Sequence, residues 1–212
     1  MQIVKKNNLC YNIQIMLYIL DEINRLGDLP IDRLSEQRRE KVFKQSRRLS
    51  QKLSIVVYLL LRMALKEEYN IDEPVEFDFE ANGKPRLKDH KSIHFNLSHS
   101  KNIAACVVSS VPVGIDVQNI VPVSDKTAMR VLTESEYTGF KSSKNPDEYF
   151  CRIWVIKESY FKQSGQGISP ELNNLSADSL SDITICRGND FFCCTTGSDT
   201  IIRNVRREEI ER

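Results

Sequence analysis

Two carboxylates on different predicted elements are the residues of this sequence best suited to chemistry. Asp116 lies in the apolar run V-G-I-D-V-Q, and Glu158 lies further along in W-V-I-K-E-S-Y-F-K. We expect Asp116 to end a strand and Glu158 to lie on a helix, from where both could bind one hard divalent cation. Lys157 and Lys162 flank Glu158 with positive charge. This combination predicts a site that holds a polyanionic phosphate against a metal.

Each of these residues also has a purely structural explanation. Glu158 and Lys162 are four positions apart, so they could form an ordinary exposed ion pair on a helix. A charged residue such as Asp116 often simply terminates an apolar strand. Apolar neighbours favour a buried Glu158, which would require a cation. Gln118 would face the same side of a strand as Asp116 and could hold a metal-bound water. These residues alone leave both explanations open.

Other residues could also contact a phosphate. Ser98 and His99 lie in F-N-L-S-H-S between two predicted strands, where they are either turn and surface residues or phosphate donors. Gly83-Lys84-Pro85 indicates a turn and is too short to be specific. A basic stretch is either the solvated face of a helix or a phosphate-binding patch; it contains Arg38, Arg39, Lys41, Lys44, Arg47, Arg48 and Lys52. The sequence has no Walker-type or dinucleotide-binding glycine loop.

Composition limits the class of protein. With 41% hydrophobic and 28% charged residues, the 212-residue chain is typical of soluble globular proteins. Its net charge of +1 argues against a general binder of nucleic acids or membranes. The apolar run 13–19 is far shorter than the roughly 20 residues that span a bilayer. Six cysteines without a C-x-x-C pair suit a reducing compartment, so we expect a cytoplasmic protein.

Hydrophobic periodicity and turn signals predict the elements that position these residues. A long helix is expected to begin at Ser35 and to end before Asn70. Further helices are expected at 124–132 and from the capping box at Thr133. A last long helix is expected at 147–164, where Gly165 and Gly167 stop it. Strands are expected at 75–79, 93–97, 103–109, 111–117, 183–185, 191–195 and 201–205, with 98–102 as a linking loop.

The order helix then strands occurs twice, on either side of Pro112, and predicts an α+β fold. We expect a pseudo-dimer of two similar halves, residues 1–111 and 112–212, each with a small antiparallel sheet packed with a long helix. The active site would lie in the cleft between them. Because one chain would supply the whole cleft, we expect a monomer.

Four segments, in this order, resemble 4′-phosphopantetheinyl transferases of the surfactin-synthetase-activating type. They are N-G-K-P (82–85), F-N-L-S-H-S (95–100), V-G-I-D-V (113–117) and W-V-I-K-E-S-Y-F-K-Q-S-G-Q-G (154–167), preceded by a weaker match, R-R-E-K (38–41). The resemblance implies that coenzyme A and Mg²⁺ bind in the cleft. A serine hydroxyl of an apo acyl or peptidyl carrier protein would attack the β-phosphate, accept the phosphopantetheine arm and release 3′,5′-ADP.

The resemblance also implies a role for each matched residue. Asp116 and Glu158 would hold Mg²⁺ against the pyrophosphate, with Gln118 beside them as a further metal contact. Asp116, Glu158 and Lys162 would be catalytic, with Glu158 as the base for the serine proton and Lys162 neutralising phosphate charge. Contacts with coenzyme A would come from the remaining matched residues: Arg38, Lys41, Lys84, Pro85, Ser98, His99 and Lys157. The first half would thus bind the nucleotide and the second would carry the metal and the chemistry.

Departures from the family pattern keep other functions open. Close members carry a third acidic residue where this chain has Gln118, so we expect two carboxylates plus waters around the metal. A non-catalytic coenzyme A or carrier-binding module with the same fold is one alternative, and a Mg²⁺ phosphohydrolase is another. The joint presence of Asp116, Glu158 and Lys162 favours catalysis. We expect the carrier protein to dock on apolar surface near Thr133 to Phe140.

Overall fold

The computed structural model of the protein describes residues 14–165 and 172–211, which form a mixed α+β fold. The α-helices are α1 (Glu36–Phe43), α2 (Arg48–Tyr69), α3 (Asp125–Val131), α4 (Glu134–Ser142), α5 (Pro146–Ser164) and α6 (Arg207–Glu211). The strands are β1 (Ile15–Leu20), β2 (Phe77–Phe79), β3 (Pro85–Leu87), β4 (His94–Ser100), β5 (Ile103–Ser109), β6 (Ile115–Asn119), β7 (Ile183–Arg187), β8 (Phe191–Thr196) and β9 (Thr200–Asn204). The predicted α+β class is confirmed.

The first sheet has the order β4-β5-β1-β9 and packs against α2. Strand β5 is antiparallel to both β4 and β1, whereas β9 runs parallel to β1. The apolar stripe predicted for α2 is buried from Leu53 to Leu65 and shares one core with Phe95 and Val108 of the sheet. Burial of this face provides most of the stability of such a helix in water. Neither α2 nor any other described helix is long and apolar enough to cross a membrane.

The second sheet, with the order β6-β8-β7, is antiparallel throughout and is covered by α5. Ile153 and Ile156 of α5 share a core with Phe192 of β8. A further apolar cluster contains Leu17 of the first sheet and Val117 of the second. Because both sheets contribute to this cluster, they pack against each other. Strand β6, which carries Asp116, contacts both β4 and β5 at this junction.

The predicted hairpin and helix ends are present. Strands β2 and β3 pair around Gly83, whose φ of 84° is a left-handed conformation that glycine adopts without strain. Ser124 caps α3, and Thr133 forms the expected capping box with Glu136 in α4. Left-handed residues end two helices, Asn70 after α2 and Gly165 after α5. Gly167, the second predicted stop, lies outside the described residues.

The long helix predicted from Ser35 is interrupted. Ser35 caps α1 as expected, but residues 44–47 separate α1 from α2. These four residues are polar or charged, and Phe43 and Leu49 on either side of them are exposed. No apolar side chain therefore anchors this segment to the core, and a helix without a buried face is marginal in water.

Strands β1 and β3 were not predicted, and several strand boundaries differ from the prediction, with those of β4 and β6 affecting the site. Strand β4 continues through Ser98 and His99, so these residues pair with β5 instead of lying in a linking loop. A tight turn at Lys101, with a φ of 31°, closes the hairpin and leaves the preceding residues free to pair. Asp116 is the second residue of β6 and does not end the strand, because pairing with β8 continues to Asn119.

Strand β9 crosses the predicted boundary at residue 112. It belongs to the C-terminal part of the chain, yet it pairs with β1 from Ile15 opposite Thr200 to Ile19 opposite Asn204. Helix α6 likewise contacts α2. The division into 1–111 and 112–212 and the similarity of the two halves stay predictions.

Candidate active site

The carboxylate of Asp116 is held on both oxygens at the junction of the two sheets. Only 1% of this residue is exposed. Its Oδ1 accepts hydrogen bonds from Ser98 Oγ at 2.8 Å and from Lys162 Nζ at 2.6 Å. Its Oδ2 accepts one from Gln118 Nε2 at 3.2 Å, since residues two apart on a strand face the same side. Three elements, β4, β6 and α5, thus meet at one buried carboxylate.

Glu158 faces the same junction from α5 and is 5% exposed. Its Oε1 is buried and has no hydrogen-bond partner among the described residues. Burial and the negative charge of Asp116 raise the pKa of Glu158, while Lys162 acts in the opposite direction. A buried carboxylate with an unpartnered oxygen beside a second carboxylate is unfavourable unless a cation is supplied. Asp116 and Glu158 therefore fit a divalent cation.

Ser98 positions Asp116 and does not present a free hydroxyl. It is buried, and its Oγ donates to Asp116 while accepting hydrogen bonds from Lys162 Nζ at 3.1 Å and from the amide of Val117 at 3.2 Å. The hydroxyl thus uses its one donor and both acceptor positions inside the protein. The geometry does not support the predicted contact between Ser98 and a ligand.

Gly114 allows α5 to approach β6 closely enough to bring the two carboxylates together. A Cβ atom at this position would collide with the carbonyl oxygen of Ser159 and would lie 2.5 Å from the amide nitrogen of Gln163, both in the backbone of α5. Only glycine leaves room for this contact. The role of Gly114 was not predicted from V-G-I-D-V, although a glycine inside an apolar strand was the available signal.

Lys157 does not lie in the site, which corrects the prediction that it contacts the substrate. Its side chain is fully buried, and its Nζ bonds to Glu136 Oε2 at 2.6 Å within the core of the second sheet. The reason is helical geometry, because successive residues are rotated by about 100° around the helix axis. When Glu158 faces Asp116, Lys157 must face elsewhere. Lys162, four positions after Glu158, does return to the same side.

A basic cavity of about 650 Å³ lies beside the carboxylates, between α1, α2 and strands β2 to β4. Its described lining contains no acidic residue, and it contains four cationic ones: Arg38, Lys41, Lys44 and Arg47. Phe77, Phe79 and Pro85 supply an apolar wall. The volume is in the usual range for small-molecule sites, and the charge suits an anionic ligand.

Arg38 and Lys41 are both perturbed by this environment. Arg38 is buried, packs over the ring of Tyr58 at 5.6 Å and donates to the carbonyl of Ser54, but its Nε has no partner among the described residues. Burial lowers the pKa of Arg38 to about 10. Burial and the charge of Arg38 lower the pKa of Lys41. An anion in the cavity would relieve both effects.

His99 lies between the cavity and the carboxylates. It follows Ser98 on β4 and lines the cavity. Desolvation by the surrounding protein, followed by the positive charges of Lys162 and Arg38, lowers the pKa of His99, although its side chain is exposed. Because charged residues of both sites affect the pKa of His99, the basic cavity and the carboxylate site are neighbours.

Lys84 connects the β2–β3 hairpin to the end of α5. Its Nζ donates to the carbonyl of Gln163 at 2.7 Å, and Asn96 of β4 donates to the carbonyl of Lys162 at 3.3 Å. Such contacts satisfy the free carbonyls of a last helical turn, and a cation there is favoured by the helix dipole. Lys84 thus supports the helix that carries Lys162, while Pro85 lines the cavity. The role of Asn96 was missed, although it lies in F-N-L-S-H-S.

Two carboxylates lie at the site among the described residues. Within 14–165 and 172–211, no group of three or more His, Cys, Asp and Glu side chains is arranged to hold a metal ion. Asp116 and Glu158 are therefore the carboxylates available at the junction, with the amide of Gln118 next to them.

Comparison with known proteins agrees with this arrangement. A family model described as the 4′-phosphopantetheinyl transferase superfamily matches residues 112–204, which include both carboxylates and Lys162. The 4′-phosphopantetheinyl transferase Sfp of Bacillus subtilis (strain 168) is 31% identical over 146 residues, covering 68% of this chain. The chain is therefore similar to the 4′-phosphopantetheinyl transferase superfamily and, within it, to the surfactin-activating type.

Other members of the superfamily match shorter parts of the chain. The 4′-phosphopantetheinyl transferase psf-1 of Bacillus pumilus is 36% identical over 122 residues, covering 56% of this chain and 52% of that protein. The 4′-phosphopantetheinyl transferase HetI of a Nostoc species is 41% identical over 105 residues, covering 45% of this chain and 44% of that protein. Even for Sfp, the chain spans 65% of the relative's length.

Proposed function

We propose that this protein transfers the 4′-phosphopantetheine arm of coenzyme A to a serine of an apo acyl or peptidyl carrier protein. The observation that carries the proposal is the convergence of Asp116, Glu158 and Lys162 from β6 and α5 beside a basic cavity. The pyrophosphate of coenzyme A needs cations, which this convergence would supply. The anionic nucleotide part needs a basic pocket, which the cavity would supply. The cleft between two similar halves, with 3′,5′-ADP as the leaving product, is part of this proposal.

The metal in this proposal is Mg²⁺, held by Asp116 and Glu158. The unpartnered buried Oε1 of Glu158 supports this assignment, because Mg²⁺ prefers carboxylate oxygens and completes its shell with waters and substrate phosphate. The amide of Gln118 lies beside Asp116 and would hold a metal-bound water. When bound, the ion would offset negative charge on the pyrophosphate and on the oxygens that gain charge during transfer.

The nucleotide part of coenzyme A would occupy the basic cavity. Arg38 and Lys41 would bind its 3′-phosphate, since burial lowers the pKa of both residues and no acidic residue is found in the described lining of the cavity. Pro85 and the neighbouring apolar wall would contact the nucleoside. His99, at the border with the carboxylates, would face the pyrophosphate. Lys84 would act indirectly, by holding the end of α5.

The protein residues can then account for the transfer. The serine oxygen of the carrier attacks the β-phosphorus, and the bond from that phosphorus to the oxygen of 3′,5′-ADP breaks. Glu158 accepts the serine proton, directly or through a water. Lys162, which is 31% exposed, neutralises charge on the phosphate oxygens.

The remaining proposals concern the carrier-docking surface, the oligomeric state and the cellular compartment. The carrier would dock beside α4, where Met129 of the adjacent α3 is 55% exposed; Phe140 is buried and would not take part. A single chain contributes every residue of the site, so a monomer would suffice. The five described cysteines are free thiols, which supports a reducing cytoplasm.

The direct test is incubation with coenzyme A, Mg²⁺ and apo carrier proteins, followed by mass spectrometry of the carriers. The proposal predicts that a carrier gains the mass of the arm and that Glu158→Gln abolishes the gain. Release of phosphate from small esters would instead indicate a phosphohydrolase. Coenzyme A binding without any carrier modification, unaffected by Glu158→Ala, would indicate a binding module and would overturn the proposal.

A further inference from the structure

The buried ion pair between Lys157 and Glu136 has no part in the proposed chemistry. Lys157 Nζ lies 2.6 Å from Glu136 Oε2 and also donates to the carbonyls of Val131 at 2.7 Å and Leu172 at 3.1 Å. An ammonium group has three hydrogens, and all three are used here. Lys157 therefore has none left for a substrate phosphate.

Glu136 is equally occupied. Its Oε2 also accepts the amide hydrogen of Thr133 at 2.8 Å, and its Oε1 accepts that of Ala177 at 2.7 Å. The residue is buried, so it cannot reach a bound carrier or nucleotide. Through these contacts the pair joins α5 to the end of α3, to the start of α4 and to the segment 172–177.

The stability of the fold does not by itself explain such a pair. Removing two charges from water is unfavourable, and apolar residues of similar size in their place are often as stable or more so. Apolar contacts, however, tolerate rotation of a helix about its axis, whereas three hydrogen bonds to fixed acceptors specify one orientation. Because Glu158 directly follows Lys157, an orientation that is fixed for Lys157 is fixed for Glu158 as well.

We propose that the Lys157–Glu136 pair is a positioning device, which sets the rotation of α5 so that Glu158 faces Asp116. This inference rests on the proposed function, in which Glu158 must bind the metal and reach the serine proton. Lys162 lies one turn after Glu158 on the same side of α5, so its contact with Asp116 depends on the same rotation. A misplacement of about 1 Å at a reacting group can lower a rate by about 100-fold.

The decisive variant removes both charges together, as Glu136→Leu with Lys157→Met. We expect it to melt close to the parent protein, because no buried charge is left unpaired. We also expect about 10- to 100-fold slower carrier modification and about tenfold weaker Mg²⁺ binding in calorimetry with coenzyme A present, as is typical when residues that orient metal ligands are lost. Coenzyme A affinity without Mg²⁺ should be unchanged, because the basic cavity lies on other elements.

Controls separate this effect from a general loss of structure. Arg203→Met breaks an ion-pair network with Glu67 and Glu209 beside the first sheet and should leave turnover and Mg²⁺ affinity as in the parent. The inference would be overturned by a double variant that melts like the parent and has the turnover and Mg²⁺ affinity of the parent. It would also be overturned by a double variant that does not fold, since the pair would then serve the fold. If the parent modifies no carrier, the proposed function fails, and Mg²⁺ affinity alone decides the positioning role.

Discussion

The ammonium group of Lys162 lies 2.6 Å from Oδ1 of Asp116, so a cation from α5 neutralises a buried carboxylate of β6. The same oxygen accepts a hydrogen bond from Ser98 of the first sheet. A single carboxylate therefore ties together the two sheets and the late helix. Any metal that binds here must share Asp116 with Lys162, while the free oxygen of Glu158 has no competitor among the described residues.

Replacing Lys162 with methionine should affect both stability and turnover. Asp116 would stay buried without its cation, and breaking a buried pair on one side costs about 3–5 kcal/mol. Because Lys162 is itself partly exposed, we expect the free energy of unfolding to fall by about 2 kcal/mol and carrier modification to fall by at least about 100-fold. Urea unfolding and single-turnover assays measure the two effects.

The matched control is Lys141→Met. Lys141 also bonds to an aspartate, Asp125, at 2.9 Å, but both side chains are about half exposed. Solvent screens such exposed pairs, so Lys141→Met should change the stability little. If Lys162→Met and Lys141→Met lose the same free energy of unfolding, burial of Asp116 does not make its ion pair more important to stability.

Glu158→Gln should abolish carrier modification yet stabilise the metal-free protein at pH 8. The pKa of Glu158 is raised in the folded state, so the folded protein binds this proton more readily than the unfolded chain does. Glu158 therefore stabilises the folded state fully below the ordinary carboxyl pKa, where it is protonated. This stabilisation is lost as the pH rises through the raised pKa. The variant lacks that loss, so it should be more stable than the parent protein at pH 8.

Thermal melts between pH 4 and pH 8, with and without Mg²⁺ and coenzyme A, test this expectation. The advantage of Glu158→Gln should shrink as the pH falls toward 4. Added Mg²⁺ with coenzyme A should raise the melting temperature of the parent and leave that of the variant nearly unchanged. A variant that is less stable than the parent at pH 8 without metal would contradict the assignment of Glu158 as a buried carboxylate lacking its cation.

Lys41→Gln should raise the KM for coenzyme A by about tenfold with little change in kcat, because a charge-assisted contact with the 3′-phosphate is lost. Dephospho-coenzyme A, which lacks that phosphate, should show the same KM with both proteins. Adding Arg38→Ala should enlarge the effect but also lower stability, since Arg38 packs on Tyr58 and bonds to Ser54.

The exposed Lys66 provides the control for this series. It is paired with Asp72 and does not line the basic cavity, so Lys66→Gln should leave the KM unchanged. A similar rise in KM for dephospho-coenzyme A and coenzyme A would place the 3′-phosphate elsewhere.

Gly114→Ala should separate α5 from β6. The added methyl group meets the backbone of α5, which cannot move aside as a flexible side chain could. We expect a loss of about 3 kcal/mol in the free energy of unfolding and no measurable transfer, because Glu158 would be displaced from Asp116. Gly27→Ala is the control, since its methyl group would find its nearest described neighbour at an ordinary 3.5 Å. Similar unfolding curves for the two variants would disprove the close packing.

Local patterns predicted part of this structure for clear physical reasons. The end of α5 at Gly165, the capping box at Thr133 and the turn at Gly83 depend on residues within a few positions of one another. The residue types and predicted elements of Asp116 and Glu158 indicated a shared cation but left structural explanations open, and the family resemblance favoured the shared site. The orientation of Lys157 could have been inferred, because adjacent residues on a helix cannot both face one site.

Other features depend on contacts between distant parts of the chain. The pairing of β9 with β1 joins residues at opposite ends of the sequence, and no local pattern specifies a parallel partner. The interruption between α1 and α2 reflects the absence of anything for residues 44–47 to pack against, which only the assembled core reveals. The saturation of Ser98 likewise follows from three partners on β6 and α5.

The parallel pairing of β1 with β9 has a consequence for biosynthesis. During translation the first sheet stays three strands wide until the chain has been made beyond Thr200, because β9 follows the other three strands of the sheet in sequence. Until then β1 presents an open edge that invites mispairing with other nascent chains. The three-stranded sheet would expose apolar surface that chaperones bind, and chains truncated before Thr200 should be insoluble.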